Sequence, residues 1–318
     1  MKKVLVMGGT GFVGASVCAQ LFGQGWQVTV PTRSCAKAGT AAPVAGMTLL
    51  ELDVHDETAL RQALVGQDAV VNLVAILHGT QDQFAHVHVS LVEKLARAVV
   101  VAGVKQLVHV SAIGANAQQP LSAPSMYLRS KGQGEAVLLR AASVSEPPAF
   151  ELTILRPSVI FGAQDKFLNV FANLQKTLPF MPLAGADARF QPVWVEDVAS
   201  AVLRSLMRSE SATVARAPLI LEACGPEVFT LRELVQLAAR LSDVRSGRGR
   251  PVIALPNWLA RVQATLMELA PGEPVMSHDN LDSMQCDNVA SGALSGLDYL
   301  GIKAAALAPI AAAYLGAK

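Results

Sequence analysis

Lys3-Val-Leu-Val-Met7, followed at once by Gly8-Gly-Thr-Gly-Phe-Val-Gly14, is the stretch that decides the fold of this chain. Five apolar-leaning residues make a buried strand, and Gly8, Gly11 and Gly14 recur at every third position behind it. Gly8 allows a tight exit turn. Gly11 lets backbone approach a phosphate, and Gly14 lets the next helix sit close to the sheet. A helix starting near Phe12 aims its free N–H groups and positive dipole end at an anion. Val13, Val17 and Leu21 continue it with one apolar face, the context such a glycine run requires. The stretch implies a cradle for the pyrophosphate of a dinucleotide, built from Gly8, Thr10, Gly11, Phe12, Val13 and Gly14. The plainer alternative is a tight strand-to-helix turn and nothing more.

Outward from this start, short apolar runs alternate with helical patterns. Residues 27–30, 48–52, 69–74, 106–110 and 152–155 read as strands, and 58–65, 84–101 and 125–141 as helices. Near-continuous apolar strands are those of a parallel sheet buried on both faces. The alternation predicts an α/β fold, a doubly wound parallel sheet with right-handed crossovers. After Arg156-Pro157 the character changes, with Pro179, Pro182, Pro192 and Pro226 cutting the chain into shorter pieces. Helical patterns recur at 195–207, 230–241 and 257–269, and one further strand at 218–222. Residues 1–156 therefore read as a dinucleotide-binding domain. Residues 157–318 read as a smaller lobe, interleaved with the end of the sheet and closing over its carboxyl edge. The tail from Ala290, rich in Ala, Gly and Leu, packs as a terminal helix or against a partner.

Composition narrows the function classes. The 318 residues are 52% hydrophobic and 16% charged, with a formal net charge of +1, so nothing recruits nucleic acid. The one basic cluster, Arg245 to Arg250, reads as a mobile loop rather than a binding patch. Cys18, Cys35, Cys224 and Cys286 lack pairing or metal-type spacing and fit reduced thiols. His86 and His88, two apart on a helix, face different ways and make a poor metal pair. No apolar stretch is long enough to span a bilayer, since the longest, 98–110, is broken by Lys105. Met1-Lys2-Lys3 imitates the basic end of a signal peptide, but the apolar run stops at Gly8 and no cleavage site follows. The chain reads as cytoplasmic.

Several residues carry candidate chemistry. Past the second strand stand Thr32-Arg33-Ser34, where an acidic residue would hold a ribose 2′-hydroxyl. Arg33 offers a planar cation for a 2′-phosphate instead, which favours NADP(H) over NAD(H). A solvated surface arginine is the alternative. Asp53 can accept from an adenine amino group with Val54 against the ring, or serve with Asp56 as a helix N-cap system. Asn72 ends the fourth strand, and Val74 and Ala75 beyond it let a ribose and nicotinamide approach. Ser111 ends the fifth strand, and Tyr127-Leu-Arg-Ser-Lys131 follows on a helix. Residues i and i+4 share a face, so the Lys131 ammonium can stabilise a Tyr127 phenolate for proton exchange with a carbinol or carbonyl. A surface Tyr–Lys pair is the alternative.

Together these residues resemble the short-chain dehydrogenase/reductase superfamily in its extended or atypical, epimerase/dehydratase-like branch. The likeness rests on GGTGFVG at 8–14, DV at 53, NLVA at 72, Ser111, YLRSK at 127, LRPSVIFG at 155–162 and QPVWVEDVA at 191–199. It covers the whole chain and implies a Rossmann sheet, a catalytic set of Ser111, Tyr127 and Lys131, and cofactor contacts from Lys131 and Pro157. Within that branch, YLRSKGQGE, ACGPEVFTLREL at 223–234 and the stretch 255–280 are similar to bacterial relatives of the nucleotide-binding accessory subunit of respiratory complex I. That likeness implies NADP(H) held for structural or assembly reasons, a respiratory-chain partner, and a place at the periphery of the inner membrane. Active extended members carry a further Ser or Thr two residues past the strand-end serine, where this chain has Ala112 and Ile113. Arg156 reads as structural and Arg189 as the better anion candidate of the second lobe. Two functions follow. One is an NADP-dependent reductase or isomerase acting on an apolar carbonyl beside Trp194, Phe161, Phe167, Phe171 and Met181. The other is a cofactor-holding interaction protein, with the stripe Trp258, Leu259, Val262, Leu266 and Leu269 as its contact surface.

Overall fold

The computed structural model describes residues 1–36, 46–144, 148–208, 217–272 and 274–316. Seven parallel strands form the central sheet: β1 (Lys3–Met7), β2 (Gln27–Thr32), β3 (Met47–Glu51), β4 (Ala69–Asn72), β5 (Gln106–Val110), β6 (Glu151–Pro157) and β7 (Leu219–Ala223). Their order across the sheet is β7-β6-β5-β4-β1-β2-β3, as the doubly wound expectation required. Strand order reverses between β1 and β4, whose ends pair Met7 with Asn72. Ligands of open α/β sheets bind at that reversal, beyond the strand C-termini. The fully buried run Val4–Met7 shows why the sequence reads as it does, since side chains of both parities meet a core.

One face of the sheet packs on α1 (Phe12–Gly23) and α7 (Val195–Arg208), through Val17, Leu21, Val198, Val202 and Leu206. The other packs on α2 (Glu57–Leu64), α4 (Leu91–Ala102) and α5 (Met126–Ala142), through Leu60, Leu95, Val99 and Leu138. A single helix was expected over 84–101. It is three joined pieces: α3 (Gln81–Ala85), a π-helical turn (His86–Ser90) and α4. A capping box from Thr80 and Gln83 starts it three residues early.

The second half adds α6 (Leu168–Thr177), α8 (Leu231–Leu241), α9 (Asn257–Leu269), α10 (His278–Ser283) and α11 (Leu307–Leu315). Phe161, Phe171, Met181, Leu234, Ala238 and Leu307 form its own core. Three two-strand ribbons stitch it together, such as Val252–Ala254 with Met181–Leu183. The tail thus supplies a terminal helix, as one of the two expectations had it. Among the described residues no helix is long and apolar enough to cross a membrane. Glu273, inside the stretch 255–280, lies outside the described residues.

The α1 helix rests on the glycine turn with almost no clearance. A Cβ on Gly14 would stand 2.2 Å from the Gly8 carbonyl oxygen and 2.6 Å from Gly9 Cα, both backbone atoms that cannot yield cheaply. Gly23, at the far end of the same helix, has nothing within 4 Å. Gly14→Ala should therefore cost about 2–3 kcal/mol or more by urea unfolding, and Gly23→Ala should be neutral or stabilising by up to about 1 kcal/mol. Equal effects at the two positions would contradict this packing.

Candidate functional site

The N-terminus of α1 is built to be free. Its N-cap is Gly11, no side chain caps it, and no acidic residue stands in its first turn. The leading N–H groups, those of Phe12, Val13 and Gly14 among them, have no helical carbonyl to bond. Gly8 is left-handed at φ +81°, and a Cβ there would press on Leu73 and Val74 beyond β4. Gly9 packs on Val30, where a Cβ would come within 2.7 Å. Gly11 is different: it is exposed, and only the Gly8 carbonyl lies near its Cβ position. The turn is closed on the protein side and open on the other, and Thr10 flanks the opening. Such a concavity with unpartnered N–H groups fits a diphosphate.

Arg33 stands exposed just past β2. Thr32 Oγ1 lies 3.4 Å from both the backbone N and the O of Ser34. A carboxylate that the linear sequence did not suggest is also here. Thr32 pairs with Glu51 across β2 and β3, and Glu51 Oε2 accepts the Cys35 N–H at 3.0 Å. Asp53 Oδ1 accepts the His55 N–H at 2.9 Å, while Asp56 is the true N-cap of α2, accepting from Thr58 and Ala59. Val54 packs against the sheet core. His55 stacks on His86 of the π turn, with ring centroids 4.0 Å apart. Burial, then the His86 charge, holds His55 below its usual range.

On the other side of β1, Asn72 is buried and bonded twice. Its Oδ1 accepts the Val74 N–H at 3.1 Å, and its amide donates to His109 Nδ1 at 3.1 Å. This fixes Val74 and the exposed Ala75 just past β4. His88 reaches the site from the π turn: Nε2 accepts the Ile76 N–H at 3.1 Å and Nδ1 meets Ser130 Oγ at 2.8 Å. Ser130 in turn donates to the Tyr127 carbonyl. His88 thus ties the end of β4 to the helix that carries Tyr127 and Lys131. Glycines make the approach possible, since a Cβ on Gly134 would stand 2.3 Å from the His88 carbonyl oxygen. Both histidines are held neutral. Burial, then the Lys131 charge, takes His88 down to about 3 and His109 well below its usual value.

Tyr127 packs edge-on against His88 and Phe84. Burial, then the Asp279 carboxylate, pushes its phenol up to about 12. Asp279 comes from α10 and accepts the N–H groups of Met126 and Tyr127, at 2.6 and 3.1 Å. Lys131 is buried. Its Nζ donates to the Val110 carbonyl at 2.8 Å, and burial brings it down to about 8. Burial and Asp279 thus disfavour a Tyr127 phenolate, and the Lys131 ammonium expected to assist one is held on the Val110 carbonyl. Ser111 is buried beside them, and its Oγ has no hydrogen-bond partner. Pro157 ends β6, and its carbonyl accepts the Ile113 N–H at 3.0 Å.

With this geometry in hand, comparison with known proteins places the chain. Residues 4–217 match the NAD dependent epimerase/dehydratase family. The chain belongs to that family. It is 30% identical over 312 residues to NADH dehydrogenase [ubiquinone] 1 alpha subcomplex subunit 9 of Rattus norvegicus, covering 94% of this chain and 75% of the rat protein. The Arabidopsis thaliana protein of the same name is 31% identical over 239 residues, which are 73% of this chain but only 56% of that one. Among solved structures, a UDP-glucose-4-epimerase of Stenotrophomonas maltophila with bound NAD and formylated UDP-arabinopyranose superposes at a TM-score of 0.69. It shares 18% identity, covers 100% of this chain and 98% of its own, and shows the common fold.

Within this epimerase/dehydratase member, some expected parts serve other ends. Arg156 is structural, as expected: it grips buried Glu135 of α5 with both Nε and Nη2. Arg189, the expected anion group, instead pairs with Asp287 at 3.6 Å. Phe161, Phe171 and Met181 are buried in the core of the second lobe, with the partly exposed Phe167 and Trp194 packed against them. Their burial follows from ordinary apolar packing.

The neutral histidines predict an acid response. His88 titrates near 6.5 when unfolded and near 3 when folded, so it binds a proton less readily in the native state. Its contribution is whole above pH 6.5 and is lost as pH falls toward 3. Urea unfolding should show a loss of about 2–3 kcal/mol from His88 between neutral and about pH 4.5, with His109 adding in the same direction. His88→Gln should flatten that acid slope, and an unchanged slope would contradict the assignment.

Proposed function

We propose that this chain holds a nicotinamide dinucleotide without routinely turning it over, as an accessory or assembly partner of a respiratory NADH dehydrogenase. The observation that carries the first part is the uncapped, glycine-walled N-terminus of α1. Gly8, Thr10, Gly11, Phe12, Val13 and Gly14 would hold the diphosphate, Asp53 and Val54 the adenine, and Val74, Ala75, Lys131 and Pro157 the nicotinamide side. The bound group would supply hydride chemistry. The surroundings of Tyr127 argue against regular use of it, because burial and Asp279 keep the phenol protonated and Ala112 and Ile113 bring no hydroxyl. The names of the rat and Arabidopsis relatives support the respiratory partner. So does α9, which turns Trp258, Val262, Leu266 and Leu269 outward at 66%, 50%, 65% and 78% exposure and buries only Ala260 and Ala264. That inverted face suits contact with a protein at the inner membrane surface.

NADP(H) is the favoured form, on Arg33 with Thr32 and Ser34, although Glu51 beside them can receive a ribose 2′-hydroxyl and admit NAD(H). Calorimetry separates the two. Arg33→Ala should weaken NADPH by about tenfold or more while leaving NADH nearly unchanged, and Glu51→Gln should tighten NADPH. Equal losses for both cofactors would remove the NADP assignment.

A second reading, an oxidoreductase or epimerase acting on an apolar carbonyl or carbinol, has one specific support. Ser111 Oγ is a buried hydroxyl without a partner, beside the helix that presents Tyr127 and Lys131. A substrate oxygen would satisfy it. Following NADPH consumption over a panel of carbonyls decides between the readings. Tight binding with no Tyr127-dependent consumption supports the holding role. Consumption that disappears in Tyr127→Phe, with binding retained, supports the enzyme. The partner is tested by binding to detergent-solubilised NADH dehydrogenase, which the pair Trp258→Ser and Leu266→Ser should abolish.

A further inference from the structure

Four arginines of this chain find carboxylates. Arg97 pairs with Glu57, Arg156 with Glu135, Arg189 with Asp287 and Arg261 with Asp282. Four others do not. Arg240, Arg245, Arg248 and Arg250 line a single cavity of about 460 Å³, together with Gln236 and Pro251, and no carboxylate lines it. Among the described residues none of the four forms an ion pair. The volume is in the range of small-molecule sites, roughly 300–1,000 Å³. Four arginines clustered at one cavity repel each other unless an anion joins them.

The backbone holds this arrangement. The cavity lies between α8, the turn that follows it, and the ribbon strand Val252–Ala254. Arg245, Ser246 and Gly247 are consecutive left-handed residues, at φ +52°, +55° and +77°. Two of them carry side chains, a costly backbone that persists only where surrounding contacts impose it. The turn closes on itself through the Gly249 N–H to the Val244 carbonyl, at 3.0 Å. Gly249 also sits on α8, where a Cβ would stand 2.8 Å from Ala239 Cβ. Arg250 is anchored through its N–H to the side-chain oxygen of buried Gln175, at 2.6 Å. A basic loop of this kind reads in the sequence as solvated chain. Folded, it brings Arg240, Arg245, Arg248 and Arg250 to the edge of one cavity beside α8.

We propose that this cavity is a binding site for a phosphate-bearing ligand, a diphosphate or phosphomonoester group, separate from the dinucleotide cradle. Guanidinium forks match phosphate oxygens two at a time, which explains four arginines and no lysine in the lining. No residue of the cradle contributes to the cavity, so the two sites are separable by mutation. The same chemistry is offered by a soluble diphosphate and by the headgroup of an acidic phospholipid.

The test uses the full chain with two probes: inorganic pyrophosphate by calorimetry, and flotation with phosphatidylcholine vesicles that do or do not contain phosphatidic acid. Native protein should bind at least one phosphate probe, and Arg245→Ala with Arg248→Ala should weaken it by about tenfold or more. The two residues are exposed in a turn, so the pair should leave the thermal transition and the binding of NADH and NADPH unchanged. Lysine at both positions should restore binding only in part. Response to pyrophosphate assigns a soluble ligand, and response to acidic vesicles alone assigns a lipid headgroup. Either supports the site. Native protein that binds neither probe, an alanine pair that binds as well as native, or a lysine pair equal to native would overturn it.

Discussion

The close seating of α1 on the glycine turn is the constraint on which the rest of the molecule depends. Gly14 has no room for a single carbon beyond its Cα, because the Gly8 carbonyl and Gly9 backbone fill that space. The same seating leaves the first N–H groups of the helix pointing past an exposed Gly11 with nothing to receive them. Packing and binding are therefore one decision. The helix can lie this near the sheet only if its N-terminus faces the reversal between β1 and β4, and there it attracts an anion. The second half of the chain reinforces the placement. Glu196 of α7 accepts from Ser16 and Gln20 of α1, and Gly162 packs against Phe12 at the mouth of the turn.

What could be seen in the sequence was local. Lys3–Met7 and the helix start at Phe12 fall where the apolar run and glycine spacing place them, because both signals lie within a few residues. β5 and α9 are found at 106–110 and 257–269, as their patterns indicate. What could not be seen was carried by register and by distant contacts. Glu51 reaches the turn beyond Arg33 only through the pairing of β2 with β3. Asp279 caps the Tyr127 helix from 152 residues away. The π turn that sends His86 to His55 and His88 to Ser130 has no periodic signature. Gly132 and Gly134 were a clue of another kind: two glycines inside a helix cost stability unless another backbone must come close, as Asn116 and His88 do.

These distant contacts change the chemical meaning of the site. Tyr127 and Lys131 stand one turn apart on α5, as a proton-transfer pair should, yet each has its own environment. Lys131 is spent on the Val110 carbonyl and lies near two neutral histidines, while Tyr127 faces a carboxylate. A helix anchored at its start by Asp279, at its middle by His88 through Ser130, and further on by Glu135 to Arg156 is a rigid wall. A helix held in this way fits the proposed holding role, and the outward-facing apolar face of α9 fits the proposed docking role.

Calorimetric titration of native protein and of Gly11→Glu with NADH and NADPH tests the account most directly. Position 11 is exposed and its φ is ordinary; a Cβ there meets only the Gly8 carbonyl oxygen, at 3.3 Å, a tight contact that a shift of a few tenths of an ångström relieves, so the variant should fold while placing a negative charge at the opening. The account predicts that native protein binds a nicotinamide dinucleotide and that the variant, with an unchanged thermal transition, binds none. A native chain that takes up neither nucleotide, or a folded variant that binds as tightly as native, would contradict it.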